Sequence, residues 1–323
     1  MTPAILLAVP NVSEGRDAAT ITQIGAAFAP GEVSLLDVHS DGDHHRSVFT
    51  LAGAPRALAD ALVAGAGEAV RAVDVVARAS ADPAERGAHP HIGTVDVVPL
   101  VYFDERSRGA ANAAALVVGD RIADELDVPV FIYGELAGGL PGRTRADLRR
   151  GGLTNLAQRL SAGELRPDFG PAKLHPRAGA TLLAAREPLV AFNLQLAPPA
   201  TLVDAKRIAA LVREGGEQGL PGLRAIGVEL AGSVAQVSMN VERPLELALF
   251  EVVQAVERHA PLASAELVGL APRAAFEGFP ADLPMPGFDP QRHLIENALA
   301  EIQARADPYA DNENADEQNA LGS

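Results

Sequence analysis

Cysteine and tryptophan are both absent from this chain of 323 residues. Without a thiol there is no disulfide, no Cys-ligated zinc and no thiol nucleophile. Aromatic residues make up only 4% of the chain, so its apolar fraction of 48% must form an aliphatic core. Lysine is nearly missing: Lys173 and Lys206 are the only two, and arginine carries the remaining positive charge. Lys and Arg number 27 against 42 Asp and Glu, a net charge of −15. A duplex nucleic-acid binder needs a basic face to neutralise phosphates, and anionic membrane surfaces attract basic segments, so no nucleic acid and no membrane is expected as a partner. No apolar run approaches the roughly 18 residues of a membrane span. Met1–Pro10 carries no basic stretch ahead of its short apolar run, so no secretory signal is read there and a cytoplasmic protein is expected. No G-x-G-x-x-G follows a strand, and neither a Walker A sequence nor a G-x-S-x-G elbow occurs, which leaves nucleotide binding and serine hydrolysis without support.

The length suggests two packed units. In the first half, Ile5–Val9, Val33–Val38, Ser47–Leu51, Val95–Phe103 and Val128–Tyr133 read as strands. Asp17–Phe28, Pro55–Val73 and Ala110–Leu126 read as helices, and extra helix follows around Arg143–Leu160. In the second half, Thr181–Ala185 and Leu189–Leu196 read as strands and Ala205–Arg213 as a helix. Leu223–Leu230 and Val234–Val241 read as a hairpin, in which Ala235, Val237, Met239 and Val241 alternate with Gln236, Ser238 and Asn240. Leu245, Leu249, Val252, Val253 and Val256 share a helix face, and Ala265–Leu270 closes as a strand. Both halves approximate βαββαβ, so an α+β chain of two tandem ferredoxin-like subdomains is expected, with a ligand groove between them. The Gly- and Pro-rich stretch Gly163–Pro176 puts the boundary between residues 1–165 and 166–305. Residues 306–323, acidic and without a base, are expected to be a disordered tail.

Three polar clusters interrupt this pattern: His39–Arg46, His89–Asp96 and Asp168–Ala180. They hold six of the eight histidines. Imidazole titrates near neutrality, so a positioned histidine can take and return a proton at working pH, as group transfer to an amine requires. Pro90 restricts His89 to extended conformations and so helps to fix its direction. A second chemistry is open on residue types alone. His89 and His91, with His44, His45, Asp41 and Asp43, offer ligands that zinc or manganese accepts, as a metal-dependent amidohydrolase-type enzyme would use. Each histidine can also be ordinary hydrogen-bonded loop filler.

In this order, the clusters and their surroundings resemble the glutamate formimidoyltransferase (formiminotransferase) family, which is also the N-terminal part of formimidoyltransferase-cyclodeaminase. The matching pieces are Val9–Arg16, Leu35–Asp37 with Arg46–Thr50, His89-Pro90 with Gly93 and Asp96, and Leu126–Val130 with Tyr133-Gly134-Glu135. Pro167–Pro171 with Gly179–Thr181, Ala191-Phe192-Asn193 and Gln236–Asn240 complete a collinear match from about Ile5 to Leu270, without the cyclodeaminase part.

The resemblance implies transfer of a formimidoyl group between 5-formimidoyltetrahydrofolate and L-glutamate in histidine degradation. It implies tetrahydrofolate as carrier, no metal, and a homodimer. It makes His89 the catalytic acid/base. It also maps a folate-binding segment onto Gly170, Pro171, Ala172, Lys173, Leu174, His175, Pro176, Arg177, Ala178 and Gly179. Asn11, His39, Arg46 and Asp96 stand as further substrate or supporting contacts. Both substrates carry carboxylates, so Arg46, Lys173 and Arg177 are candidate anion partners. Gln236, Ser238 and Asn240 either line the groove or face water. The chain departs from the mammalian pattern at His39, where that pattern has Asp; Asp37, Asp41, Asp43 or Asp96 would then orient His89. The family's Gly-Glu-Tyr-Glu stretch reads Gly151-Gly152-Leu153-Thr154, and Lys173 and His175 also differ. A related one-carbon transferase with another acceptor therefore stays open.

Overall fold

The computed structural model describes residues 5–79, 87, 88 and 90–306. The first sheet opens with β1 (Leu6–Ala8) and β2 (Asn11–Val12), two pieces of one strand divided at Pro10, which has no N–H for the ladder. Asp17 caps α1 (Ala18–Phe28) by accepting the N–H groups of Ala19 and Thr20. β3 (Ser34–Asp41) and β4 (Arg46–Gly53) form a hairpin. In α2 (Pro55–Ala72) the proline stands at the first turn, where no N–H is needed. Then come α3 (Val75–Ala79), β5 (Val95–Val101), α4 (Glu105–Leu126) and β6 (Val130–Ile132). Gly151, at φ +72°, separates α5 (Arg145–Arg149) from α6 (Gly152–Ser161), so the expected extra helix is two short ones. β7 (Thr181–Arg186) ends this unit.

The spatial order is β3, β4, β1/β2, β5, β7, β6. β5, β7 and β6 run parallel, while the pairings of β1 to β4 with one another and with β5 are antiparallel. This differs from the sequence reading in one respect. Thr181–Ala185 reads as the first strand of the second half, yet the chain returns to the first sheet to insert it between β5 and β6. Five of the six β7 residues are buried, which suits a strand flanked and covered on both faces. Gly163–Pro176 is thus part of a crossover inside the first unit, and the sheets part after Arg186.

The second sheet contains β8 (Val190–Leu196), β9 (Leu223–Leu230), β10 (Val234–Val241) and β11 (Leu262–Val268) in the antiparallel order β11, β8, β10, β9. α7 (Leu202–Val212) and α8 (Leu249–Glu257) connect them. α9 (Ile295–Ala306) follows. The molecule is therefore an α+β protein with two sheets.

Each sheet packs helices on one face. α1, α2 and α4 enclose a core with Leu6, Phe49 and Leu100, and α7 and α8 enclose Phe192, Leu194 and Val237. Burying each such Leu, Val or Phe contributes about 1.5–3 kcal/mol. α5 and α6 cover the opposite face of the first sheet only at its β5–β7–β6 end, through Leu148, Leu153 and Leu156 on Phe131 and Leu182. The rest of that face turns toward the open face of the second sheet. Leu7, Val101, Leu270, Ile295 and Ala298 close one end of this meeting. What remains is a groove.

The contact of α7 with β9 is tight enough to test. A Cβ on Gly227 would stand 2.2 Å from the Lys206 amide nitrogen, a backbone atom that cannot rotate away. Gly227→Ala should therefore cost about 1–3 kcal/mol, as overpacking does, read as a lower urea midpoint. An unchanged midpoint would mean that α7 shifts at no cost.

Candidate active site

The β3–β4 hairpin builds one wall of the groove. Half of the polar stretch His39–Arg46 is strand, and residues 42–45 form the turn. Asp41 Oδ1 accepts the N–H groups of Asp43 and His44 at 2.7 and 2.8 Å, which fixes the turn. His45 takes a left-handed conformation, φ +51°, and its ring turns inward. Its Nδ1 accepts the Gly15 N–H at 3.1 Å and stands 3.5 Å from Glu14 Oε1. A Cβ on Gly15 would lie 2.2 Å from the Asp41 carbonyl, so only glycine permits this approach. Glu14 also pairs with Arg78 at 2.8 Å. Burial opposes its ionisation, but the N–H groups of Arg16 and Asp17 and the Arg78 guanidinium prevail and hold its carboxyl below the usual range. Burial first, then the Arg78 cation, push the His45 pKa down to about 4.

The same hairpin reaches across to the second unit. His39 Nε2 lies 3.3 Å from Glu266 Oε1, and Glu266 Oε2 accepts from Asn193 at 2.8 Å. Burial opposes the Glu266 charge, but these two partners prevail and hold its carboxyl below the usual range. His44 Nε2 meets Gln236 Oε1 at 3.1 Å, and Asp43 Oδ2 accepts the Ala231 N–H at 3.1 Å. Gln236 is thus buried beneath the groove, whereas Ser238 and Asn240 line it.

The groove has two adjoining lobes of about 600 and 630 Å³ that share Asn11, Arg46, Arg145 and Asn240. The first is polar, with His39, Asp41, His44, Asn193 and Ser238 in its wall. The second is more aliphatic, adding Leu7, Val9, Pro99, Val101 and Leu270, and has Tyr133 and Arg186 in its wall. Of the supporting residues named from the sequence, Asn11, His39 and Arg46 line the groove. Asp96 lies beneath it, where it pairs with Arg149 and accepts the Ile92 N–H at 2.8 Å. Arg46 is depressed to about 9 by burial and then by Arg149, and Arg186 to about 10 chiefly by burial. Arg145 lies over the Tyr133 ring at 5.9 Å and 3.5 Å from Glu242. Asn11 Oδ1, Thr50 Oγ1, Arg149 Nε and Arg186 Nε are buried without a hydrogen-bond partner, and all four residues line the groove. A bound molecule with carboxylates and amides fits that set.

Sequence reasoning missed Arg145, Arg149 and Arg186. The i, i+4 spacing of Arg145 and Arg149 was the one available signal, since it sets both on one face of a helix.

None of Gly170–Gly179 lines either lobe. The segment turns back on itself: His175 and Gly179 exchange backbone hydrogen bonds at 2.9 and 3.0 Å, and His175 Nδ1 accepts from Arg177 and Ala178. Lys173 is exposed, and Arg177 pairs with Asp74 at 3.2 Å outside the groove. The segment braces the lead-in to β5, because the Ala178 carbonyl accepts from Thr94 and the Ile92 carbonyl accepts from Ala180. His89 lies outside the described residues. Just before it, the Ala88 N–H donates to the Asp43 carbonyl at 2.9 Å, and just after it, Ile92 is held by Asp96. Among the described residues no three His, Asp or Glu side chains converge as a metal ligand set, and no helix is long and apolar enough to cross a membrane.

Residues 5–186 match the model of the formiminotransferase domain, N-terminal subdomain. A Streptococcus pyogenes serotype M1 protein named glutamate formimidoyltransferase is 32% identical over 304 residues, which cover 91% of this chain and 98% of that protein. A Thermoplasma acidophilum protein of the same name is 30% identical over 83% of this chain and 88% of its own length. The Rattus norvegicus formimidoyltransferase-cyclodeaminase is 35% identical over 83% of this chain but only 50% of its own length.

The buried His45 gives the site scaffold a pH signature. Above the unfolded pKa of about 6.5 the ring is neutral in both states. Between that value and about 4, only the unfolded chain takes up a proton, so stability falls as pH is lowered through this window. Denaturant melts from pH 7 to pH 4.5 should show the decline, and His45→Gln should flatten it. A wild-type slope in that variant would assign the decline to another group.

Proposed function

This chain belongs to the formiminotransferase family, and on that premise we propose that it is a glutamate formimidoyltransferase of histidine degradation. The observation that carries the reading to the site is the set of half-buried arginines in one groove of a strongly acidic protein, where both substrates are carboxylates. The two units are read as tandem ferredoxin-like subdomains, divided after Arg186, with folate in the groove between them. The strand orders β5-β1-β4-β3 and β11-β8-β10-β9 support this, since both follow the same path through βαββαβ. The end of the family match at residue 186 agrees with that division. A cytoplasmic homodimer belongs to the same reading.

Bound folate supplies a one-carbon group already activated as an amidine. The chain's own work is positioning and proton movement. The acceptor ammonium must lose a proton before its nitrogen can attack, and the folate nitrogen must gain one to leave. His89 is assigned both transfers. Of the carboxylates considered for holding its second ring nitrogen, Asp96 is committed to Arg149 and Ile92, and Asp37 faces His293 at 4.0 Å. Asp41 Oδ1 holds the turn and Asp43 Oδ2 the Ala231 N–H, and both residues stand on the hairpin whose backbone binds Ala88, so the orienting role is assigned to their second oxygens. Gly170–Gly179, which lines neither lobe, is assigned a supporting role behind the folate groove. Its support is its hydrogen bonding to the strand lead-in that carries His89-Pro90.

His89→Ala should lower transfer from 5-formimidoyltetrahydrofolate to L-glutamate by about 10²–10⁴-fold, while 5-formyltetrahydrofolate still binds. Full activity in that variant would remove His89 from the chemistry.

A further inference from the structure

The two lobes of the groove differ in chemistry, and the difference orients the substrate. Every histidine in the groove wall stands in the polar lobe. The more aliphatic lobe is walled by Leu7, Val48, Pro99, Val101 and Leu270, with Arg186 and Tyr133 in the same wall. Arg149 has Asp96 and Arg145 has Glu242 within ion-pair distance, whereas among the described residues Arg186 has no carboxylate that close and feels Glu242 only from farther off. Its Nη1 donates to the Glu187 carbonyl at 2.8 Å, the Tyr133 hydroxyl is a further side-chain partner, and its buried Nε has no hydrogen-bond partner among the described residues. Burial and the nearby Arg145 cation lower its pKa to about 10, so it stays charged at neutral pH. A half-buried guanidinium in a largely aliphatic wall is costly unless an anion arrives with the ligand.

We infer that Arg186, in the wall of the more aliphatic lobe, binds a carboxylate of the aroylglutamate tail of the folate substrate, with the aryl ring against the aliphatic side chains. This rests on the folate reading above and adds a direction to it. The tail lies in the aliphatic lobe, so the pterin and the acceptor amino acid meet in the polar lobe. A small amino acid needs no aliphatic wall, whereas an aryl amide does. Arg145, above the Tyr133 ring, is a positioning residue that adds positive potential to the same corner.

The test compares two probes on the full chain. Dissociation constants are measured by calorimetry for 5-formyltetrahydrofolate and for a 5-formyltetrahydropterin lacking the aroylglutamate tail. The proteins are wild type, Arg186→Gln and Arg186→Lys, and KM for L-glutamate is read in parallel. Arg186→Gln should weaken the full folate by roughly ten- to a hundredfold and leave the tail-less pterin and KM for glutamate unchanged. Arg186→Lys, which keeps the charge but loses the fork, should fall between. If Arg186→Gln fails to fold, the Lys variant carries the comparison through the ratio of the two probes. Equal loss for both probes overturns the inference. So does a raised KM for glutamate with unchanged folate affinity, which would give Arg186 to the acceptor. Wild-type protein that binds neither probe overturns the folate reading itself, a result distinct from either of these.

Discussion

One buried carboxylate ties the groove to its supports. Asp96 is almost wholly inaccessible, and its two oxygens go to different elements. One accepts the Ile92 N–H and so anchors the lead-in to β5. The other takes the Arg149 guanidinium and so seats α5 on the sheet. Removing one partner of such a pair leaves the other buried and uncompensated, at a typical cost of about 3–5 kcal/mol. The pair thus couples the approach to His89 with the helix that carries Arg145, and neither side of the groove can shift without the other. The hairpin supplies the matching constraint from the opposite wall, because Asp43 holds Ala88 on one side and Ala231 of the second unit on the other.

Net charge and local charge point in opposite directions here. The protein carries −15, yet Arg46, Arg145, Arg149 and Arg186 share one groove. Low-dielectric walls concentrate the field of such a cluster, while the acidic exterior does not attract anionic ligands elsewhere. The pKa values of Arg46 and Arg186 are depressed first by burial and then by the neighbouring Arg149 and Arg145 cations. Their charges are tolerated because Asp96 and Asp41 act on Arg46, and Tyr133 and Glu242 on Arg186.

Local patterns were legible where they were strong. Asp17 before α1, Pro55 opening α2 and the alternation of β10 all gave the elements found. Sheet membership was not legible for Thr181–Arg186. A strand covered on both faces shows a plain aliphatic run, and such a run names no neighbour. His39–Arg46 looked like loop because it is polar. It is polar because β3 and β4 turn that end toward the groove and the second unit, so polarity there marks a lining and not a loop. The arginines escaped notice for a simpler reason. In a chain with two lysines, arginine is the default cation everywhere, and Arg186 looks no different in sequence from the exposed Arg177.

The clustered histidines also separate once their surroundings are known. His45 gives its Nδ1 to the Gly15 N–H and is held near pKa 4, so it cannot exchange protons at neutral pH and serves as a strut. His175 is spent on its own turn, accepting two N–H groups at Nδ1. His44 faces the buried Gln236 across the interface between the units. His39 pairs with Glu266, which reaches it from the second sheet. That pairing bears on the departure at position 39. Where an aspartate would bring a negative charge to the hairpin, this chain brings an imidazole and supplies the carboxylate from β11. The negative charge is kept near the groove, but it now spans both units, so its placement depends on how the second sheet docks against the first.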